Sequence, residues 1–317
     1  MEYIGLAAQQ RRNNRLSVML MLAFPLLILL LVYVFLIFAG YDSYSGFEEV
    51  NIMFVGVAPF VVIAVGIWFL IAYKIHTRII MNAAGARPLS RKENMRVYNL
   101  VENLCIASGM TIPKVYIIDD PALNAFASGI NPQSFAVTLT SGIIKELNDE
   151  ELEGVIAHEL MHIRNNDVKL LIISIVFVGI LAFAAEILFR SLLRSTPRAR
   201  SKNDKGGGQM LLLVALLLAV LGYIFSMLFR FALSRKREYL ADAGAADMTK
   251  NPKALANALR KVSKNYKVSN VKSAEVAELF LENRKEKSAG FSPKTMLHNL
   301  FATHPPIDKR IAFLDQV

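Results

Sequence analysis

Two of the five histidines in this 317-residue chain stand four apart, in His158-Glu159-Leu160-Met161-His162. On an α-helix, residues four apart lie one above the other on a single face, with β-carbons roughly 6 Å apart. Two imidazoles so placed can share one zinc ion, and the glutamate beside the first can serve as general base. Chance puts this pattern in under roughly one per cent of chains with so few histidines. Leu152, Val155, Ile156 and Met161 supply apolar positions that anchor such a helix in a core. The competing reading is two surface histidines on an amphipathic helix.

A tetrahedral catalytic zinc needs a third protein ligand and one open position. The single cysteine, Cys105, excludes a sulfur-rich site and an intramolecular disulfide. It falls in an apolar helical pattern with Val97, Leu100, Val101 and Leu104, as a buried thiol does. The third ligand is therefore a carboxylate or another histidine. Glu238 and Asp242 share a face of a later helix within Ser234–Asp242. Glu238 could complete the zinc site, and Asp242 could accept a hydrogen bond from the far nitrogen of His158, fixing its tautomer. The bland alternative is a solvated ion-pair face among Arg235, Lys236 and Arg237. Topology weighs against it, because the His158 helix enters an apolar hairpin that the Glu238 helix leaves, so both reach one membrane face.

The elements that must position these residues are mostly apolar. Hydrophobic residues make up 54% and charged ones 20%, which fits a membrane protein with a globular part. Leu16 to Ala39 and Ile52 to Tyr73 are uncharged runs long enough to span a bilayer. Arg11, Arg12 and Arg15 precede the first, Lys74, His76 and Arg78 follow the second, and the connection between them holds Asp42, Glu48 and Glu49 without Lys or Arg. The positive-inside rule then puts the N-terminus and everything after Tyr73 in the cytoplasm. The net charge of +10 is accounted for by these flanks facing anionic lipid. No basic stripe interleaved with aromatics points to nucleic acid.

A polar segment follows. Ser90 to Met110 is expected as a helix opened by a Ser90/Glu93 capping box and closed by Gly109. Strands are expected at Lys114–Asp119, Asn124–Ser128 and Ser134–Thr140, with Pro121 and Gly129 to Pro132 between them. Asp149 is expected to cap the helix that carries the two histidines. Val168 to Leu188 and Met210 to Phe229 form a second hydrophobic hairpin, joined by the basic connector Phe189 to Gln209 with Gly206 to Gly208. A fully spanning hairpin would put that connector outside, against the charge rule, while a dipping one keeps it inside. The expected architecture is a mainly α integral-membrane protein with four hydrophobic spans plus an α+β zinc-peptidase domain with a small sheet. Its boundaries are 1–76 for an N-terminal hairpin, 77–167 for the first part of the catalytic domain, 168–230 for the inserted hairpin and 231–317 for the second part. His76 reads as interfacial beside Lys74, His298 as a surface histidine, and Glu186 as an interfacial carboxylate. Asn165 and Asp167 read as holding the helix end.

The chain resembles the HtpX group of membrane-bound zinc endopeptidases, relatives of the CAAX prenyl proteases. The likeness rests on HExxH followed by Asn165-Asn166-Asp167, on Glu238 to Asp242 within SRKREYLADAGAA after a hairpin, on Asn124 to Ala127, and on His304-Pro305-Pro306. It implies a gluzincin-like fold and one zinc ion held by His158, His162 and Glu238. It also implies Glu159 as base, Asp242 as the partner of His158, and His304 as a stabiliser of the oxyanion. An extended substrate would lie along Asn124, Ala125, Phe126 and Ala127 by strand addition. The implied role is turnover of damaged or misassembled membrane polypeptides at a prokaryotic plasma membrane, with the active site facing the cytoplasm. Two rival readings are a dedicated CAAX-type processing protease and a non-catalytic scaffold with a vestigial zinc site.

Overall fold

The structure, a computed structural model, describes residues 6–40, 46–194, 207–232, 235–268, 279–281 and 305–317. They divide into two compact units. One comprises Leu16–Lys74 and Ile173–Phe229, and the other Met1–Arg15, Ile75–Ile172 and Arg230–Val317.

The first of these units is built from apolar helices. α1 spans Leu6–Gly40 and α2 Gly46–Ala84, and parts of α6 (Asp167–Arg194) and α7 (Gly207–Ala232) join them. Three helical stretches are long and apolar enough to cross a membrane, Gln10–Phe38, Phe47–Ala84 and Asp167–Arg190. Among the described residues α7 holds a shorter apolar stretch, Leu212–Ile224. Phe177 is buried between Phe24, at a centroid distance of 4.3 Å, and Phe69, at 5.6 Å. Leu22, Leu26, Val55 and Phe60 point outward and exposed, as side chains that meet lipid rather than water do. Glu186 is exposed and paired with Arg190 one turn on at 2.6 Å. His76, by contrast, is 5% exposed while Lys74 beside it is exposed. Its side chain faces protein, on the part of α2 that continues to Ala84.

The other unit carries a four-stranded mixed sheet in the order β1-β2-β4-β3. β1 is Ala86–Pro88, β2 Lys114–Ile118, β3 Ala125–Ser128 and β4 Ala136–Thr140. β2 and β4 run parallel, and the two outer strands run antiparallel to them. β3 and β4 are buried along their whole length, so their apolar runs carry no alternation. β1 was not expected, being three residues long and ending in proline. β3 starts one residue later than expected: the Asn124 carbonyl still accepts from the Thr140 N–H at 3.0 Å, but the Asn124 N–H donates to the Thr140 hydroxyl at 3.1 Å instead of a ladder carbonyl.

Two helix starts are also displaced. The Ser90/Glu93 box forms, with Ser90 N donating to Glu93 at 2.7 Å, but it closes a turn. α3 begins at Met95, capped by Asn94, and ends at Ser108 with Gly109 left-handed at φ 65°. α5, Asp149–Arg164, is capped by Asn148, which makes the reciprocal box with Glu151. Asp149 is its first helical residue instead of the cap, because the extended backbone of Asn148 aims its own side chain at the Glu151 N–H. α4 is Ser141–Glu146, α8 Arg235–Thr249, α9 Pro252–Val262 and α10 Ile307–Leu314.

α5 is buried along most of its length, polar His158 and Glu159 included, and is packed by α8, α9, α3 and β3. Gly154 permits the close approach of α9, since a β-carbon there would stand 3.2 Å from the Leu255 backbone. The turn after β3 depends on Gly129, whose φ of +112° brings its α-carbon hydrogen against the backbone of Ser134 and Phe135. Gly129→Ala is expected to cost about 1–3 kcal/mol and to lower the thermal midpoint of the detergent-solubilised protein. An unchanged midpoint contradicts the backbone assigned at this turn.

Candidate metal centre

α5 places His158 and His162 on one face, and α8 brings Glu238 to them. His158 and Glu238 are buried, and His162 is partly buried. His158 Nε2 and His162 Nε2 lie 3.1 Å apart, and each stands 3.6 Å from a different Glu238 oxygen. Ligand atoms around a tetrahedral zinc, each about 2.0–2.1 Å from it, stand about 3.4 Å from one another. The three donors therefore already have the mutual spacing of one coordination shell, and their chemistry, two imidazoles and a carboxylate, suits zinc.

The far sides of the rings explain why they point this way. His158 Nδ1 lies 2.9 Å from Asp242 Oδ1, and His162 Nδ1 lies 3.1 Å from Asp167 Oδ2. An imidazole that donates from Nδ1 to a carboxylate leaves Nε2 as a lone pair. Two such lone pairs facing each other at 3.1 Å repel unless a cation or a proton lies between them. Burial and Arg310 push the His158 imidazole down in pKa, but Asp242 and Glu238 outweigh them and carry it up to about 9. The surrounding carboxylates thus favour positive charge at the His158 ring.

Glu159 is 2% exposed. Burial raises its carboxyl above the usual range, with His158 and His162 opposing. A carboxyl moved toward neutrality is suited to taking up and giving back a proton.

Arg310 was not picked out by the sequence. It is fully buried on α10 and grips Asp242 with two prongs, Nε to Oδ2 at 2.8 Å and Nη2 to Oδ1 at 2.7 Å. Burial alone would raise the Asp242 carboxyl, but Arg310 and His158 hold it below the ordinary value. A signal was present: Ile307, Arg310 and Leu314 fall on one buried helix stripe, and an arginine in such a stripe needs a buried acid. Asp167 was expected to hold the helix end and also reaches His162. Asn165, at the α5 C-cap, is buried. The solvated alternative for the Glu238 helix is overturned, because Arg237 and Glu238 are both buried, with Arg237 Nη1 3.4 Å from the Asp167 carbonyl.

Asn124, Ala125, Phe126 and Ala127 lie at the sheet edge beside α5. There the Leu281 N–H donates to the Ala125 carbonyl at 2.7 Å, and Phe280 meets the Phe126 ring edge-on at 4.9 Å. His304, His298 and the basic connector residues 195–206 lie outside the described residues.

The family model described as Peptidase family M48 matches residues 91–317. A protein named Protease HtpX homolog from Bacteroides fragilis is 53% identical over 324 residues, covering 100% of both chains. A second of that name, from Dictyoglomus turgidum, is 40% identical over 90% of this chain and 88% of its own. Among solved structures, S. mikatae Ste24p aligns at 20% identity with a TM-score of 0.46, over 90% of this chain and 61% of that one.

Removing Arg310 leaves the buried Asp242 charge without its strongest partner. Arg310→Met is expected to cost about 3–5 kcal/mol, and Arg310→Lys, which keeps charge but loses the two-pronged fit, less than that. Chemical denaturation of the purified variants measures both, and equal stability of Arg310→Met and the parent would contradict the arrangement.

Proposed function

Because this chain belongs to peptidase family M48 and is a membrane metalloendopeptidase, we propose that His158, His162 and Glu238 hold its zinc ion and that Glu159 is its general base. The observation that carries this reading is the convergence of three donor atoms, all within 4.8 Å of one another, from two helices far apart in sequence.

Zinc held there supplies a Lewis acid that acidifies water and polarises the scissile carbonyl. Glu159 takes the proton of the attacking water and passes it to the leaving amine. Asp242 and Asp167 keep the two rings in the tautomer that presents Nε2, and the Arg310 charge keeps Asp242 ionised. His304 donates to the oxyanion as the carbonyl becomes tetrahedral. Its support is sequence position alone, directly before Pro305-Pro306 and α10, which carries Arg310.

The substrate lies extended along Asn124 to Ala127 and adds a strand to the outer edge of β3. For it to do so, Leu281 must release the Ala125 carbonyl. Recognition through the main chain is indifferent to sequence, which suits turnover of damaged membrane polypeptides. α7, at 26 residues, is about 39 Å long at 1.5 Å per residue and completes a fourth span. Arg11, Arg12 and Arg15, ahead of the uncharged run Leu16 to Ala39, favour a metal centre on the cytoplasmic side.

Glu159→Gln is expected to keep one zinc per chain and to lower peptide hydrolysis about 100- to 10,000-fold. Glu238→Ala is expected to lose zinc. Metal analysis beside a casein assay, with and without chelator, reads both. Retained proteolysis in Glu159→Gln, or full zinc occupancy in Glu238→Ala, would defeat the assignment.

A further inference from the structure

The polar start of α1 belongs to the compact unit that holds the metal centre, apart from the apolar remainder of that helix. Within it Asn13 is 2% exposed, while Arg11, Arg12, Asn14 and Arg15 around it are exposed. A buried amide is costly unless its groups are paired, and the pairing here is specific. Asn13 Nδ2 donates to the Asn165 carbonyl at 2.8 Å and to Asp167 Oδ1 at 2.7 Å. Those acceptors flank Asn166, whose left-handed φ of 59° makes the sharp turn between α5 and α6. One amide nitrogen carries two hydrogens, one for each acceptor.

Asp167 is thereby divided between two duties. Oδ1 takes the Asn13 hydrogen, and Oδ2 stands 3.1 Å from His162 Nδ1. A carboxylate on a turn can rotate about its own bonds. With Oδ1 fixed by Asn13, Oδ2 stays in line with the imidazole, and the ring keeps Nε2 directed at His158 and Glu238. Gln10 offers a comparison, since its Nε2 donates to the Arg164 carbonyl at 2.6 Å. It grips the same helix end and lies outside the chain Asn13–Asp167–His162.

We propose that Asn13 is a positioning residue of the metal centre, holding Asp167 in the orientation that keeps His162 turned toward the ion. This rests on His162 being a zinc ligand, as argued above. Asn13 lies outside residues 91–317, which the family model matches, so the unit that holds the metal centre extends into the polar start of α1.

The test uses the full-length chain in detergent, with zinc affinity measured by competition against a chromophoric chelator. Asn13→Ala is expected to weaken zinc about tenfold, at the low end of what such outer partners contribute. Asp167→Ala is expected to weaken it at least as much, and Asn13→Ala added to Asp167→Ala to weaken it no further. Gln10→Ala is expected to leave affinity unchanged. At saturating cobalt(II), Asn13→Ala should shift the visible absorption bands of the ion, a change that loss of general stability does not produce. The proposal is overturned if Asn13→Ala binds zinc as the parent does, if the two losses multiply in the double variant, or if Gln10→Ala weakens zinc as much as Asn13→Ala. His162→Ala separates the two levels of the reading: undiminished affinity in that variant defeats the ligand assignment itself, and loss of affinity there with none in Asn13→Ala defeats only the relay.

Discussion

Two imidazoles, each with a carboxylate behind the ring at Nδ1, bring their Nε2 atoms to face each other 3.1 Å apart in a largely buried space. That arrangement is unfavourable in itself, and most of the unit around it serves to hold it in place. Asp242 and Asp167 are the carboxylates, and Glu238 adds a third acidic group, buried and 3.6 Å from each Nε2. Such a cluster asks for a cation. Arg310 lies against it, gripping Asp242 with two prongs, while its guanidinium also stands 3.5 Å from Glu238 Oε2 and 3.3 Å from His158 Nε2, so it supplies fixed positive charge to the scaffold of the site.

The backbone meets this demand by close helix packing. α8 carries Ala241, Ala245 and Ala246 on its buried side, and Gly244 stands where a β-carbon would run into Met161 of α5. Small residues let the second helix come near enough for a side chain as short as Asp242 to reach a ring nitrogen. A capping box between the exposed Asn148 and the buried Glu151 fixes where α5 begins, with Lys261 of α9 paired to Glu151 at 2.6 Å. Helix starts, crossings and charge pairs thus set the histidine pair jointly, which is how a site that needs tenths of an ångström is held.

What could be read from the sequence follows from how locally each feature is encoded. The His158/His162 and Glu238/Asp242 pairs are helical repeats of four, visible in any window, and so are the long apolar runs of α1, α2 and α6. Gly109 announced the end of α3. Caps were harder, because Asn148 and Asp149 are both good capping residues and only the backbone angles decide between them. β1 carries too few residues for a period to appear. The largest omissions, Arg310 and Asn13, act across 68 and 152 residues of chain. Nothing in their own neighbourhood states which acid they will meet, and burial of a charged or polar side chain is a property of the folded core. Asp167 was seen but given half its role, since the turn at Asn166 breaks the helical spacing that would have linked it to His162.

X-ray absorption at the zinc edge of the zinc-loaded, full-length protein tests the central claim most directly. Two imidazoles and a carboxylate predict a shell of nitrogen and oxygen scatterers at about 2.0–2.1 Å and no sulfur near 2.3 Å, with outer scattering that fits two histidine rings per ion. A spectrum that requires a single ring, or none, would contradict it.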